Sequence, residues 1–431
     1  MADKLLLRGA RVVSPEREEA ECDLLLEDGR IAAVAPRIEA ECPAFDARGL
    51  CAAPGLVDMH VHLRDPGQTR KEDIETGCRA AAAGGVTSLA AMPNTSPAAD
   101  CAQVLRYELA RAAGTGIHVY PIAAVTIGQN GAELCDFAAL KKAGAVAFSD
   151  DGRPVADAAV MLAAMRAAKS LGVPVISHCE EPSLAGGKVN EGAISRALGV
   201  PGMPAAAEAA QAAREAALSA CTGLQVHIAH VSAAQTVEII RCAKRRGVPV
   251  TAETCPHYFS LDESLVLRRD ADYRMNPPLR TARDVEAVRE ALRDGTLDCI
   301  VTDHAPHTAA EKADFEAAPN GVVGLETSLA AGITFLVRPG VLTLRELIAK
   351  MSVAPARLLH LNAGTLEPGA PADLTLFDPQ ERWTVDPARL HSKSHNTAFK
   401  GMELYGRVHL TVASGRVVFR SARFGGRGPE Q

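Results

Sequence analysis

Two histidines separated by a single residue, His60 and His62, follow the apolar segment 55–59. Side chains two apart on a strand lie on the same face, so both imidazoles can reach one metal ion. Two histidines on one face can also simply be packed or exposed, and the pair alone does not decide between these roles. The spacing predicts metal-dependent hydrolysis only if further ligands meet the pair in space.

Metal-ligand side chains follow four later strand-like segments. The first of these is followed by Asp150 and Asp151. The other three end in His178, His230 and Asp303. Singly, such an aspartate can cap a helix and such a histidine can be a satisfied polar residue. A set of four imidazoles and two carboxylates suits zinc, and strand ends bend too much for alternation to choose between the two neighbouring aspartates.

The elements that must bring these residues together are eight near-continuous apolar segments, which alternate with alanine-rich helical stretches. Such segments are typical of parallel strands covered on both faces. They predict an α/β fold, a (β/α)8 TIM-like barrel, in which the chemistry lies at the C-terminal strand ends. The segments are 56–62, 86–92, 117–125, 145–149, 173–178, 224–230, 248–253 and 299–302, with helices such as 205–220 and 233–246 between them.

Both ends of the chain carry short strand patterns with turns instead of helical periodicity. They predict a small composite β domain built from residues 1–53 and 363–431, with the hydrolase barrel occupying 54–362. Glycines at 84, 172 and 247 stand where barrel helices should end. The predicted terminal strands are 4–7, 24–27, 30–34, 373–377, 383–385, 408–413 and 416–419.

Composition narrows the class of partner. The 431 residues carry a net charge of only -6, and lysine and arginine are dispersed along the sequence. The clustered basic residues that are typical of nucleic-acid-binding proteins are therefore missing. The 11 cysteines include no Cys-x-x-Cys pair, and no apolar stretch approaches the length of a membrane span. We therefore expect a cytoplasmic enzyme with reduced thiols that acts on a small molecule, without nucleic acid or membrane.

Four residues near the predicted ligands need separate interpretation. His227 lies deeper in its strand and on the opposite face from His230, so we take His230 as the ligand and His227 as structural. Asp58 shares the face of His60 and is expected either to support the site from below or to pair with an arginine. His304, next to Asp303, and the later His307 are candidates for orienting a substrate.

Seven motifs lie along nearly the whole chain: Asp58–Gly67, Met92-Pro-Asn94, Ser149-Asp-Asp-Gly152, Ser177-His178, His230-Val-Ser232, Met275–Arg280 and Thr302–His307. With these motifs the chain resembles the amidohydrolase superfamily and, within it, the class I dihydroorotases. The resemblance implies a zinc enzyme that reversibly hydrolyses the cyclic amide of dihydroorotate to carbamoyl-aspartate, the third step of pyrimidine biosynthesis.

The resemblance also assigns the metal positions. Its spacing favours Asp151 over Asp150, and Asp303 becomes the group that moves a proton between water and the ring nitrogen. It implies one or two zinc ions per chain. Relatives that open hydantoins or allantoin usually carry a bridging lysine at the fourth strand end, whereas Lys141 and Lys142 here would lie at the wrong end of that strand. The implied ligands are His60, His62, Asp151, His178, His230 and Asp303.

The resemblance places the substrate as well. It implies that Arg64, Asn94 and His307 hold the carboxylate of dihydroorotate, although Arg64 alone could form a rim salt bridge with Asp65. It further implies that a loop over 307–324 covers the site, with Asn320-Gly321 where relatives often have Phe-Gly. The substrate residues so implied are His62, Arg64, Asn94, Asn276, His307, Asn320 and Gly321.

Two other functions stay open at this point. One is a hydantoinase-like or allantoinase-like hydrolase, disfavoured by aspartate in place of the bridging lysine and by Arg64 with Asn94. The other is a non-catalytic scaffold for aspartate transcarbamoylase, disfavoured because no implied ligand is missing. The expected partners are the small-molecule substrate, further copies of the chain and, from the resemblance, aspartate transcarbamoylase.

Overall fold

The eight barrel strands lie at the predicted segments, whereas the terminal strands predicted at 4–7 and 24–27 belong to longer strands, and the short strands at 44–46, 51–54, 189–190 and 202–203 were not predicted. The computed structural model describes residues 4–15 and 17–425. In chain order the strands are β1 (Lys4–Ser14), β2 (Arg17–Glu27), β3 (Arg30–Ala35), β4 (Ala44–Asp46), β5 (Cys51–Pro54), β6 (Leu56–Val61), β7 (Val86–Ala91), β8 (His118–Ala123), β9 (Ala147–Phe148), β10 (Val175–Ser177), β11 (Val189–Asn190), β12 (Gly202–Met203), β13 (Val226–Ile228), β14 (Val250–Thr254), β15 (Cys299–Ile300), β16 (Leu374–Thr384), β17 (Glu403–Ala413) and β18 (Arg416–Arg420).

The helices begin and end at the residue types that favour those positions. Asp73 and Thr281 accept hydrogen bonds from backbone N–H groups in the first turns of their helices, and Gly172 ends another in a left-handed conformation. The helices are α1 (Ile74–Ala83), α2 (Ala102–Ala112), α3 (Phe137–Lys142), α4 (Ala158–Leu171), α5 (Ala193–Leu198), α6 (Ala205–Thr222), α7 (Ala234–Arg245), α8 (Pro256–Ser260), α9 (Ala282–Arg293), α10 (Ser328–Gly332), α11 (Leu344–Ile348) and α12 (Ala354–Leu358).

Eight parallel strands form the predicted barrel, in the order β6-β7-β8-β9-β10-β13-β14-β15. The two ends of this sheet approach each other where the His62 N–H donates to the His304 carbonyl at 2.8 Å. Buried side chains alternate along a strand between two apolar clusters, since Ala90 belongs to one and its neighbours Leu89 and Ala91 belong to the other. The strands are therefore covered on both faces, and their C-terminal ends meet at one rim.

A second sheet is built from both ends of the chain, as predicted. Its order is β18-β17-β16-β5-β1-β2-β3, with β4 paired to β1. The strand predicted at 373–377 and the one predicted at 383–385 are a single strand, β16, whose pairing with β17 is irregular between Asp378 and Arg382. Strand β5 ends at Pro54, two residues before the first barrel strand, and so connects the two sheets. The exact domain boundaries stay a prediction.

Among the described residues, no helix combines the length and apolar character needed to cross a membrane.

One buried carboxyl group among the barrel helices is expected to lower the stability of the fold. Glu108 on α2 is 2% exposed, and neither of its carboxylate oxygens has a protein hydrogen-bond partner among the described residues. Burial and the nearby Asp65 raise its pKa well above the usual range. Folding must therefore protonate or desolvate this group at neutral pH, which opposes stability as pH rises above the normal glutamate pKa.

Replacement of Glu108 by methionine should raise the unfolding free energy at pH 8 by about 1–3 kcal/mol, because the desolvation penalty is removed. The gain should shrink towards pH 4, where the wild-type side chain is neutral in both states. Urea denaturation at both pH values measures it. Glu75→Met, at an exposed residue paired with Arg79, is the control that should change little. An equal gain at both pH values would show that Glu108 is not buried as a charge.

Candidate active site

An open cleft of about 610 Å³ lies at the C-terminal ends of the barrel strands. It contains every substrate residue that the sequence predicted and five of the six predicted metal ligands. His60 is the exception in the β6 segment: it is fully buried and lies outside the cleft lining. The lining residues are His62, Arg64, Asn94, Asp151, Gly152, His178, His230, Asn276, Asp303, Ala305, His307, Asn320 and Gly321.

The first group of converging ligand atoms joins the ends of three strands. The atoms that His60, Asp151 and His230 can offer all lie within 4.8 Å of one another. Asp151 Oδ1 is 3.4 Å from His60 Nε2 and 3.6 Å from His230 Nε2. This oxygen and His60 Nε2 are buried without a hydrogen-bond partner among the described residues. Two unpartnered electron-rich atoms that converge in this way fit a shared cation.

A second group shares His60 with the first. It consists of His60, His62 and Asp303, and Asp303 Oδ1 lies 3.0 Å from His62 Nε2. The His62 Nδ1–H donates to Asn94 Oδ1 at 2.8 Å, which leaves Nε2 of a neutral ring as a lone pair facing that carboxylate. Burial, the largest effect, and the charge of Arg64 lower the pKa of His62, so the neutral ring is favoured. A cation between the two atoms would remove their repulsion.

His178 belongs to neither group of three but contacts the first. Its Nδ1 lies 3.4 Å from Asp151 Oδ1 and 2.7 Å from His230 Nε2. Imidazole nitrogens and carboxylate oxygens at these positions are the donor set of zinc and other first-row divalent ions. The structure thus brings all six predicted ligand residues together at one rim of the barrel.

The electrostatics of the cluster favour a positive charge at its centre. Burial raises the pKa of Asp151, but the charge on His60 and contacts with His178 and His230 hold it well below the usual range. Burial lowers the pKa of His60, yet Asp151 and Glu253 raise it well above its usual value. In the protein without metal, a proton on His60 supplies the positive charge that a cation would otherwise supply.

Glu253, on β14, is a functional residue that the sequence analysis did not predict. It is fully buried, accepts a hydrogen bond from His60 Nδ1–H at 2.6 Å and accepts another from His227 Nε2–H at 3.1 Å. The first bond fixes the His60 ring so that Nε2 faces the cluster. The available signal was a charged residue in an otherwise apolar predicted strand. His227 supports Glu253, in agreement with its expected structural role.

Replacement of Glu253 by glutamine should weaken metal binding by about 10- to 100-fold, because the amide cannot hold both rings as their charge-assisted acceptor. Competition against a fluorescent zinc chelator measures the affinity directly, without any substrate. Glu208→Gln is a control, since Glu208 is a buried glutamate that accepts from Ser232 N–H at 3.1 Å, away from the cluster. Unchanged affinity in Glu253→Gln would mean that His60 is oriented without it.

The two neighbouring aspartates after β9 point to different places. Asp150 accepts hydrogen bonds from the backbone N–H groups of Val125, at 2.8 Å, and Thr126, at 3.2 Å, and so ties two strand ends together. Only Asp151 faces the ligand cluster. Asp58 accepts from the N–H groups of His60 and Thr302, both at 3.2 Å, and burial raises its pKa to about 6. Of its two expected roles, support from below fits these contacts and pairing with an arginine does not.

Arg64 is a buried cation without an ion pair among the described residues. Its Nε donates to the Pro306 carbonyl at 3.3 Å, and burial lowers its pKa to about 10. The alternative partner, Asp65, instead accepts a hydrogen bond from Tyr107 Oη–H at 2.8 Å. A desolvated guanidinium at the cleft wall is suited to bind an anionic group of a ligand, and its planar fork matches a carboxylate.

Two asparagines present polar groups beside the cluster. Asn94 is engaged with His62, and its Nδ2 lies 3.5 Å from Asp151 Oδ2. Asn276 Nδ2–H donates to Glu180 Oε2 at 2.7 Å, whereas Asn276 Oδ1 is buried without a partner among the described residues. Glu180, which follows the β10 strand end by three residues, was not predicted from the sequence. Asn276 thus offers a free acceptor at the cleft wall.

The loop after β15 forms the remaining wall. The His307 Nε2–H donates to the Asn320 carbonyl at 2.8 Å, and Arg64 Nη2 lies 3.4 Å from the same nitrogen. Burial and the charge of Arg64 lower the pKa of His307 to about 2, which keeps the ring neutral. A Cβ at Gly321 would lie 2.7 Å from the Ala305 carbonyl, so glycine is required there. His304 is fully buried, faces Glu72 and does not line the cleft.

The chain is similar in sequence to proteins of one enzyme family. A family model described as Dihydro-orotase-like matches residues 49–236. Dihydroorotase from Syntrophus aciditrophicus is 50% identical over 424 residues, which cover 97% of this chain and 99% of the relative. Dihydroorotase from Pelotomaculum thermopropionicum is 50% identical over 421 residues, with the same shares covered.

A similar solved structure is the L-hydantoinase from Arthrobacter aurescens. It has a TM-score of 0.88 and 26% sequence identity, and the match covers 97% of this chain and 96% of that one. The barrel, the second sheet and the cyclic-amide hydrolase fold are therefore common to both proteins. Identity of about half over the full length is found with dihydroorotases, and the chain accordingly belongs to the dihydroorotase family of the amidohydrolases.

Proposed function

We propose that this chain catalyses the reversible hydrolysis of the cyclic amide of L-dihydroorotate to N-carbamoyl-L-aspartate, the third step of pyrimidine biosynthesis. The observation that carries the proposal is the buried Arg64, which has no carboxylate partner in the described chain and lines the same cleft as the His and Asp cluster. The relatives named dihydroorotase support it. A cluster that opens an amide, together with a guanidinium that binds a carboxylate, matches an acidic cyclic amide.

We propose that the metal is zinc, with one or two ions per chain. When bound, it supplies a Lewis acid that polarises the carbonyl and makes a bound water more acidic. Manganese, cobalt and nickel accept the same donor types, so elemental analysis of the purified protein identifies the metal. The residues that would hold it are His60, His62, Asp151, His178, His230 and Asp303.

Asp303 is the proposed general acid and base. Burial raises its pKa, but the charge of His60 contributes to a pKa below the usual range, so it is ionised at neutral pH. In ring opening, a carboxylate oxygen of Asp303 accepts the proton of the attacking water and then delivers it to the departing ring nitrogen. Ring closure follows the same steps in reverse. One residue thereby serves both directions.

The substrate is held at its charged end and at its ring. Arg64 donates to the substrate carboxylate, with Asn94 and His307 lining the same part of the cleft. The free Asn276 Oδ1 accepts from a ring N–H, while His62, Asn320 and Gly321 complete the walls. These contacts select a cyclic amide that bears a carboxylate over one that does not.

A second candidate is a hydantoinase-like activity, which the solved neighbour and its fold favour. Asp151 in place of a bridging lysine and the unpaired Arg64 argue against it. Incubation with L-dihydroorotate, dihydrouracil, hydantoin and allantoin, with products identified by NMR, distinguishes the two. We expect ring opening of dihydroorotate only. Turnover of hydantoin or allantoin without turnover of dihydroorotate would assign the cleft to the second activity.

We further propose a cytoplasmic homo-oligomer that can assemble with aspartate transcarbamoylase. Strands β3 and β18 are the two edges of the second sheet, and edge strands offer backbone groups for pairing between copies. All 11 cysteines are free thiols, which fits a reducing compartment. Light scattering with and without aspartate transcarbamoylase measures both assemblies. A single mass equal to one chain under both conditions would contradict both.

A further inference from the structure

Lys312 lies in the loop that follows β15, and its side chain is buried. Its Nζ donates to three backbone carbonyls: Pro319 at 2.9 Å, Ala271 at 3.0 Å and Arg274 at 3.2 Å. An ammonium has three N–H donors, and each can be directed at one of these acceptors. Lys312 therefore joins the loop to the separate segment 271–274 at a single point.

The charge of Lys312 has no carboxylate within ion-pair distance among the described residues. The two acids whose charges act on Lys312, Asp270 and Asp272, are paired with Lys400 at 2.6 Å each. Burying a cation with carbonyl partners alone is costly, and a methionine-like side chain would pack the same volume at lower cost. Packing alone therefore does not explain a lysine at position 312. Its N–H donors, which hold three carbonyls in fixed positions, do.

Two of the carbonyls that Lys312 binds belong to residues that are bonded to the cleft lining. Pro319 immediately precedes Asn320 and Gly321, which line it, and the Arg274 carbonyl also accepts from Gly321 N–H at 3.0 Å. The Arg274 guanidinium, in turn, donates to Asn320 Oδ1 at 3.1 Å. Asn320 then holds the His307 ring through its own carbonyl. Lys312 is thus three contacts away from the proposed carboxylate site, without lining it.

We infer that Lys312 is a positioning residue, an internal latch that holds the loop 308–320 against segment 271–274 and so fixes the cleft wall formed by Asn320, Gly321 and His307. The inference rests on the proposed function for its kinetic consequence only. Its structural consequence, a loop held in place before any substrate binds, is independent of the reaction.

The number of hydrogen bonds that Lys312 donates depends on its protonation state. Burial lowers the pKa of Lys312 to about 7, Asp272 and Asp270 oppose the shift, and Arg274 and Lys400 favour it. A neutral amine has only two N–H donors for three carbonyls. Since the charged form makes all three bonds, the loop should loosen as pH rises through neutrality.

The test compares zinc-loaded wild type with Lys312→Met and with Lys350→Met. Lys350 is a matched control, since its Nζ also donates to a backbone carbonyl, Leu297 at 2.8 Å, but outside the cleft. In Lys312→Met we expect KM for dihydroorotate to rise about tenfold or more, with kcat changed less than about threefold, because a substrate must reorder the loop on binding. Lys350→Met should leave both constants unchanged.

Hydrogen exchange of the loop is the second readout and needs no substrate. In Lys312→Met, amides of 308–320 should exchange about tenfold faster than in wild type, whereas barrel amides should not change. If this variant does not fold, the wild type alone gives the result. After correction for intrinsic rates, loop amides should lose protection between pH 6 and pH 8.5.

The outcomes separate the latch from the function. Faster loop exchange in Lys312→Met than in wild type, combined with a wild type that does not open dihydroorotate, would overturn the proposed function and leave the latch intact. Unchanged loop exchange in Lys312→Met, or protection that is flat between the two pH values in wild type, would overturn the latch. An equal rise in KM in Lys350→Met would also overturn it, because the effect would then be general destabilisation.

Discussion

Replacement of Asp303 by asparagine should lower kcat for dihydroorotate ring opening by about 10²- to 10⁴-fold while the barrel stays folded. The asparagine amide has nearly the same size, but it can neither accept the proton of the attacking water nor deliver it to the ring nitrogen. Stopped and continuous assays in both directions should show the same loss, since one group serves ring opening and ring closure. Circular dichroism checks the fold.

Asp298→Asn is the matched control for this experiment. Asp298 lies at the opposite end of the same strand, β15, where it pairs with Lys244 at 2.7 Å and accepts from Ala252 N–H at 2.8 Å. Its loss should reduce stability without changing kcat. Retention of more than a few per cent of the wild-type rate in Asp303→Asn would remove Asp303 from the mechanism.

Arg64→Met should raise the Kd of N-carbamoyl-L-aspartate about 100-fold or more, because a desolvated charge pair with the α-carboxylate is lost. Methionine keeps the apolar stem volume but cannot donate. The structure makes the effect large: Arg64 is 8% exposed and has no competing acid among the described residues. Isothermal calorimetry on the zinc-loaded protein measures the change.

N-carbamoyl-β-alanine, which lacks the α-carboxylate, isolates the contact. Its affinity should be weak in wild type and the same in Arg64→Met, since it has no group for Arg64 to bind. Arg111→Met is the protein control, because Arg111 is exposed and 3.7 Å from the buried Asp65 outside the cleft. A loss of affinity that is equal for both ligands would show that Arg64 supports the cleft wall and does not recognise the carboxylate.

The fold could be predicted because its signals are local. Each barrel strand is a short apolar run, and side chains at eight strand ends share one rim whatever the details of packing. The choice of ligand between Asp150 and Asp151 could not be made from the strand pattern. Asp150 and Asp151 differ only in how the chain bends after β9, and alternation along a strand gives no information past its end.

Residues that act by orienting other residues could not be predicted from the sequence. Glu253 reaches His60 across the barrel, from a strand nearly two hundred positions later in the chain, so no spacing relates them. Glu180 likewise accepts a hydrogen bond from the distant Asn276, and Lys312 reaches Asn320 only through the carbonyls of Pro319 and Arg274. Their residue types are ordinary for loops and strand ends. Only the three-dimensional contacts distinguish them from solvated charges.

The central claim is metal-dependent ring opening of L-dihydroorotate at the His and Asp cluster. It is tested most directly by titrating metal-free protein with zinc while the rate of dihydroorotate loss is followed by ultraviolet absorbance. We predict a negligible rate without metal, and a rate that rises with zinc and saturates at one or two equivalents per chain. A metal-free protein that opens dihydroorotate at the full rate, or a zinc-loaded protein that leaves it unchanged, would contradict the account.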